Sequence, residues 1–144
     1  MAPPTMERFQ QCLGRRGYVH FHAVWTASAA DELSNEKVVD LDDISGKLDN
    51  TRFAVESIEW QSSAAGLSAV VEFDSTPPGA DGLVLAIPPD GSSGEMDFSG
   101  YPSGNIPDPN RESPGNVVVT TNGAQQGDEL FLAIRFKEKG KSKP

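Results

Sequence analysis

This sequence has little cysteine and histidine, and it has no long apolar run. Only one of its 144 residues is cysteine, Cys12, and two are histidine. An internal disulfide framework is therefore excluded, and a zinc site built from cysteine and histidine is disfavoured. No apolar run approaches the roughly 18 residues of a membrane-spanning helix, and residues 1–5 lack the basic-then-apolar layout of a signal peptide. These absences predict a soluble single domain with no membrane partner, assembled in a reducing cytoplasm.

Basic residues are scarce as well. The chain has 12 lysines and arginines against 21 acidic residues, and its net charge is −9. The charge is unevenly placed, because residues 135–144 contain five bases and a single acid, Glu138. An acidic body disfavours nucleic acid as a partner, since phosphates attract lysine and arginine. The basic tail, residues 138–144, is interpreted either as a solvated terminus or as a segment that contacts an acidic partner.

The C-terminal third of the chain carries the strongest pattern. Residues 117–121 and 129–137 are two β-rich runs separated by a polar, glycine-containing turn. In the second run, apolar residues recur at every other position from Leu130 to Phe136, which is typical of a half-buried antiparallel strand. The pattern predicts a hairpin whose turn uses glycine where a positive φ is needed.

Earlier segments are predicted to form a short helix and further strands. A threonine N-cap and an apolar pair four residues apart indicate the helix, over residues 5–13. Residues 18–25 form a strand with bulky groups on both faces, so we expect burial on both sides or an interface. Residues 52–61 and 66–74 are predicted to pair as a long hairpin, and a slip in the alternation of the first run indicates a β-bulge near Glu56.

Turn signals between these short runs predict the architecture. We expect an all-β fold, an antiparallel β-sandwich or jelly roll made of one domain with extended termini. Residues 1–17 are assigned to an N-terminal arm, residues 18–137 to the sandwich and residues 138–144 to the tail. The loop at residues 100–115 contains four prolines and three glycines, and a loop of this length is usually functional or held by a partner. The alternation phases predict a core that includes Trp60, Val71, Phe73, Leu85, Leu130, Leu132 and Ile134.

Motifs that carry catalytic chemistry are absent. The chain has no nucleophile elbow, phosphate-binding loop or dinucleotide fingerprint, so neither an enzyme nor a cofactor is predicted. His20 and His22 share one face of a strand, and they either meet a metal with a third ligand or pack in a core or interface. Trp60 is either a buried anchor or a sugar-stacking platform. The acidic residues of segment 31–43 are interpreted as a solvated loop, a cation site or a docking segment for a basic neighbour.

Three segments together resemble a known family. They are Ser57-Ile58-Glu59-Trp60, then Gly100 with the Pro/Asn-rich loop that follows it, and last the ending Gly115-Asn116-Val117-Val118-Val119-Thr120-Thr121-Asn122-Gly123-Ala124, with Gly127-Asp128 and a final strand closed by residues 135–137. This part of the chain resembles the small β-sandwich head decoration, or cement, proteins that tailed bacteriophages encode beside their capsid genes. Asn116 stands where the family pattern has aspartate.

The resemblance implies a virion protein that performs no covalent chemistry and needs no cofactor. Proteins of this kind are assembled in the host cytoplasm, bind the major capsid protein on the capsid exterior, often as homotrimers, and reinforce the shell. The expected docking residues lie in the loop and the two termini: Pro3, Pro4, Tyr101, Pro102, Ile106, Pro107, Pro109, Lys137 and Lys139. Two alternatives stay open. A carbohydrate-binding or host-adhesion module needs a line of exposed aromatic side chains, and a tail-tube or connector component forms rings.

Overall fold

Two antiparallel β-sheets make up the protein in its computed structural model, which describes residues 4–13, 16–27, 30–40, 51–62, 66–74, 83–89, 91–98, 106–107 and 116–141. These residues contain ten strands and no α-helix, so the all-β prediction is confirmed. In chain order the strands are β1 (Thr5–Leu13), β2 (Arg16–Val24), β3 (Glu36–Val39), β4 (Thr51–Ser62), β5 (Ser68–Phe73), β6 (Leu83–Ile87), β7 (Ser93–Asp97), β8 (Ile106–Pro107), β9 (Val117–Asn122) and β10 (Glu129–Lys141).

The strand order is that of a jelly roll. The larger sheet has the order β1-β2-β10-β4-β7, with the short β8 also paired to β4, and the smaller sheet has the order β3-β9-β5-β6. From β2 to β5 each strand lies in the sheet opposite its predecessor, and the chain crosses again from β6 to β7, from β8 to β9 and from β9 to β10. Sheets connected in this way face each other with their apolar sides and enclose one core.

Apolar side chains from both sheets fill the space between them. The largest fully buried side chains are those of Trp25, Phe21, Phe98, Phe136, Ile58, Leu67, Leu130, Leu132, Ile134, Val19 and Val38. Six of the seven predicted core residues are buried, which confirms the alternation phases from which they were chosen. The seventh, Trp60, is only partly buried and packs against the core. Its Nε1 donates a hydrogen bond to Ser92 Oγ at 3.4 Å.

Two aromatic rings lie directly over glycines of neighbouring strands. A β-carbon at Gly94 would lie 2.7 Å from Cζ2 of Trp60, its cross-strand partner. A β-carbon at Gly17 would lie 2.5 Å from Cζ of its partner Phe136. Neither position accepts a side chain while the ring stays in place. The two pairs therefore help to fix the register of β4 against β7 and of β10 against β2.

The N-terminal segment is a strand, so the predicted helix is wrong. β1 pairs with β2 over its whole length, beginning with Thr5 opposite Val24. This pairing satisfies backbone donors and acceptors along the strand, which outweighs weak local signals for a helix. The sheet also extends past the predicted limits of 18–137 at both ends, because β1 begins at Thr5 and β10 continues to Lys141.

Both predicted hairpins are wrong, whereas the predicted bulge is confirmed. β9 and β10 lie in different sheets, and so do β4 and β5. Two consecutive strands that each have one apolar face can bury those faces as neighbours in one sheet or from opposite sheets of a sandwich. Alternation of apolar residues therefore does not identify the strand with which each one pairs. In β4, the register against β10 shifts between Val55 and Ser57, which leaves Glu56 as the extra residue of a bulge.

Glu32 holds the connection that crosses from β9 to β10. Its carboxylate accepts hydrogen bonds from Thr121 Oγ1 at 2.8 Å and from the backbone N–H groups of Gly123 and Ala124 at 3.0 and 3.1 Å. Gly123 has a φ of 83°, in the left-handed region that favours glycine. One member of the acidic segment 31–43 therefore organises a turn of the fold, which the sequence interpretation did not include.

The proline-rich loop contains a short piece of regular structure. Ile106–Pro107 forms β8, whose residues pair with Val55 and Ala54 of β4. The expectation that residues 100–115 contain no regular structure is therefore wrong at this point. The remaining residues of the loop lie outside the described part of the chain.

Candidate functional site

The solvent side of the larger sheet carries three rows of side chains that each cross five strands. Directly opposed residues of neighbouring antiparallel strands place their side chains on the same side of the sheet. The register gives a middle row of Phe9, His20, Ala133, Glu59 and Glu95, one flanking row of Gln11, Tyr18, Arg135, Ser57 and Asp97, and another of Glu7, His22, Phe131, Gln61 and Ser93. These residues together form the outer face.

The half of the outer face on β1, β2 and β10 is aromatic. Successive ring centroids are 6.1, 5.5, 5.9 and 6.4 Å apart along the chain of rings Phe9, Tyr18, His20, Phe131 and His22. The rings are tilted or edge-on to one another, at distances that aromatic pairs favour. Phe9 is open to solvent, with 58% of its surface exposed.

The half on β4 and β7 is acidic. Glu59 and Glu95 are directly opposed across the two strands, which brings like charges together. A hydrogen bond with Glu59, together with the negative charge of Glu59, raises the pKa of Glu95. Asp97 adds to the rise, whereas the guanidinium of Arg135 opposes it. Glu95 therefore binds its proton more tightly than a lone glutamate does, and the two carboxyl groups face a ligand together.

An open depression of about 770 Å³ lies between the two halves. On β10 it is lined by residues 133–135, on β2 by residues that include Tyr18 and His20, and on β4 by residues that include Glu59. Ala133 is the smallest side chain of the middle row and lies directly between His20 and Glu59. Two strand spacings, about 9.5 Å, separate β2 from β4. This arrangement, defined by Ala133, His20, Glu59, Tyr18 and Arg135, is the Ala133 slot.

His20 and His22 share the outer face, as their spacing predicts. His22 Nε2 lies 3.3 Å from Glu129 Oε1, and both imidazoles contact the ring of Phe131. Among the described residues, no group of three or more His, Cys, Asp or Glu side chains is placed to hold a metal ion. The imidazoles are thus part of an aromatic surface, and burial of this strand on both sides is not observed.

The expected docking residues are spread over the fold. Pro4 is buried. Lys137 is half-buried and continues the outer face one step beyond Arg135. Ile106–Pro107 lies beside β4, and Lys139 is the extra residue at a register shift of β10. Four of the expected docking residues lie outside the described part of the chain: Pro3, Tyr101, Pro102 and Pro109.

The outer face was not predicted, although the sequence holds one signal for it. In the run 18–25, the positions out of phase with the core are Tyr18, His20 and His22, and in the run 129–137 they include Phe131. Aromatic residues at solvent-facing positions of a half-buried strand indicate an interaction surface. The signal becomes specific only when β2 and β10 are known to be neighbours.

Comparison with known proteins assigns no function to the outer face. In the described part of the chain, no helix is long and apolar enough to cross a membrane. Searches against models of protein families, against curated proteins and against solved structures each gave no match. Function is therefore inferred from the residues of this chain and their arrangement.

Proposed function

We propose that this protein is a non-enzymatic structural protein of a tailed-phage virion, which binds the outer capsid surface and stabilises the shell. The segments that resemble head decoration proteins, including Ser57-Ile58-Glu59-Trp60, supply the partner, which is the major capsid protein. Jelly rolls occur in viral capsid domains, but also in lectins and cupins. The fold is compatible with the proposal but is shared by other functions, so the proposal rests on the chemistry of the surface.

The observation that carries the proposal is the exposed aromatic half of the outer face. Aromatic residues are enriched in the centres of protein interfaces, and contiguous apolar surface on a monomer marks interaction sites. Phe9 is 58% exposed on β1, and its ring contacts that of Tyr18 on β2. β1 is also the edge strand of the larger sheet, and edge strands offer unpaired backbone groups to a partner. The same edge can also pair with another copy of the chain. The resemblance to head decoration proteins implies that three copies associate.

The mechanism is additive burial without a covalent step. Each copy bridges neighbouring capsid subunits, and the symmetric lattice repeats every contact over the shell.

Titration of the purified protein onto undecorated capsids tests the proposal. The wild-type protein should saturate the capsids and raise the temperature at which they lose integrity. Phe9→Ala removes an exposed aromatic ring and should weaken capsid binding about tenfold or more if this ring is an interface hot spot. Val70→Ala is the control, because Val70 is 38% exposed on the smaller sheet. A full-length protein that never binds capsids would refute the proposal.

Two further measurements separate the neighbouring hypotheses. Mass photometry of the free protein should give monomers or trimers, whereas rings would favour a tail-tube or connector component. Raising the salt concentration distinguishes the docking segments. Contacts made by Lys137 and by the basic tail, including Lys139, should weaken with salt, whereas contacts made by outer-face rings should persist.

A further inference from the structure

The Ala133 slot has the dimensions of a small-ligand site. Its volume of about 770 Å³ falls within the range of about 300–1,000 Å³ typical of ligand pockets. Ala133 lies in it between His20 on one neighbouring strand and Glu59 on the other. We propose that this slot binds a saccharide, with one sugar ring over Ala133, as an activity separate from capsid docking.

The acidic wall supplies the hydrogen bonds that sugar hydroxyls need. A hydroxyl donates to a carboxylate in a charge-assisted bond, which is stronger than a bond between neutral groups. Glu59 and Glu95 present paired carboxyls on adjacent strands. Arg135 adds N–H donors at the end of the slot. A polyol, whose hydroxyls both donate and accept, can use all of these groups.

The aromatic wall supplies a surface for the C–H face of a sugar ring. His20 lines the slot and lies 5.5 Å from the ring of Tyr18. The Tyr18 hydroxyl donates to Gln11 Oε1 at 2.7 Å, and its ring also contacts Phe9. These contacts hold the wall in place before a ligand arrives. Less conformational entropy is then lost on binding.

The charges that line the slot disfavour an acidic ligand. The lining carboxyl groups outnumber the two guanidinium groups: Glu56, Glu59, Glu95 and Asp97 against Arg16 and Arg135. Nε of Arg16 lies 3.8 Å from Oε1 of Glu56. An anionic ligand would meet the excess of carboxyl groups, whereas a neutral saccharide meets no such repulsion. The same excess attracts a cation, so the test below includes a cationic probe.

Backbone amide shifts in the NMR spectrum of the full chain test this inference. The probes are the methyl glycosides of glucose, galactose and mannose, and N-acetylglucosamine, each titrated to tens of millimolar. We expect concentration-dependent shifts at Ala133, His20 and Glu59. Ala133→Leu fills the slot without removing a polar group, and Glu59→Gln removes the charge from one wall. Each should weaken binding about tenfold or more.

The controls make the outcome decisive. Glu72→Gln changes a carboxylate of the smaller sheet and should bind the sugars as the wild type does, and unchanged amide shifts elsewhere show that each variant is folded. The inference is overturned if none of the four sugars shifts these amides, if Ala133→Leu binds unchanged, or if spermidine, a cationic probe, shifts the same amides more strongly. Because the assay contains no capsids, this inference and capsid docking can each fail alone.

Discussion

Replacing two neighbouring valines of β5 one at a time tests which face of the smaller sheet is inside. Val71 is 0% exposed and Val70 is 38% exposed, although they are adjacent in one strand between β9 and β6. Val→Ala removes the same atoms at both positions and lowers the intrinsic β-propensity by a similar amount. The difference between the two losses of stability therefore measures burial.

The magnitude at Val71 follows from the atoms removed. The substitution deletes two carbons from a fully buried side chain, at about 0.8 kcal/mol each. Incomplete collapse of the core around the cavity adds to this, so the free energy of unfolding should fall by about 2–3 kcal/mol. At Val70 the deleted carbons already contact water, and the loss should stay within about 0.5–1 kcal/mol.

Urea denaturation of the two variants and the wild type gives the comparison. The slope of the unfolding free energy against urea should stay constant, because neither change alters the surface exposed on unfolding by much. Equal losses at Val70 and Val71 would refute the assignment of faces, and a larger loss at Val70 would mean that β5 is shifted by one residue. Leu132→Ala extends the test to the larger sheet. Leu132 is 0% exposed, and its truncation should cost about 2–5 kcal/mol.

Gly123→Ala should destabilise the protein by about 2 kcal/mol or more in the same assay, because φ is 83° and the new β-carbon would collide with the carbonyl oxygen of Gly66. Gly127→Ala measures the cost of the positive φ alone, since φ is 93° there and no atom outside the neighbouring residues lies within 4 Å of the new β-carbon. If both substitutions lower the free energy of unfolding equally, the collision at Gly123 contributes nothing. Glu95→Gln should stabilise the protein at neutral pH, with a gain that grows as pH rises. The raised pKa of Glu95 means that the folded state binds its proton more tightly than the unfolded state, so the wild type loses stability as pH rises from the ordinary glutamate range through the raised value. A difference between variant and wild type that does not change with pH would show that Glu59 and Glu95 do not repel each other.

The buried side of a strand could be predicted from the sequence because the direction of side chains along a strand is a local property. Alternation with a period of two identified the buried phase of β10, where Leu130, Leu132 and Ile134 all point into the core. A slip in the same alternation located the bulge at Glu56. The all-β class, the single core and six of its buried residues could be predicted from such patterns.

The pairing of strands was decided only by the tertiary structure. The backbone edges of all strands offer the same donors and acceptors, so a sequence pattern does not say which edges meet. Pairing depends on contacts between distant residues, such as Phe136 over Gly17 or the Glu32 carboxylate on the turn at Gly123. For this reason both hairpin predictions were wrong, and residues 5–13 joined the sheet as a strand.

The outer face depends on tertiary structure for the same reason. Its middle row takes Phe9 from β1, His20 from β2, Ala133 from β10, and Glu59 and Glu95 from β4 and β7. In the sequence these residues are an aromatic, a histidine, an alanine and two glutamates with no common motif. By itself the sequence determined which side of strands such as β5 and β10 meets water. The jelly-roll order, which sets strands distant in sequence side by side, decided that these water-facing positions form one surface.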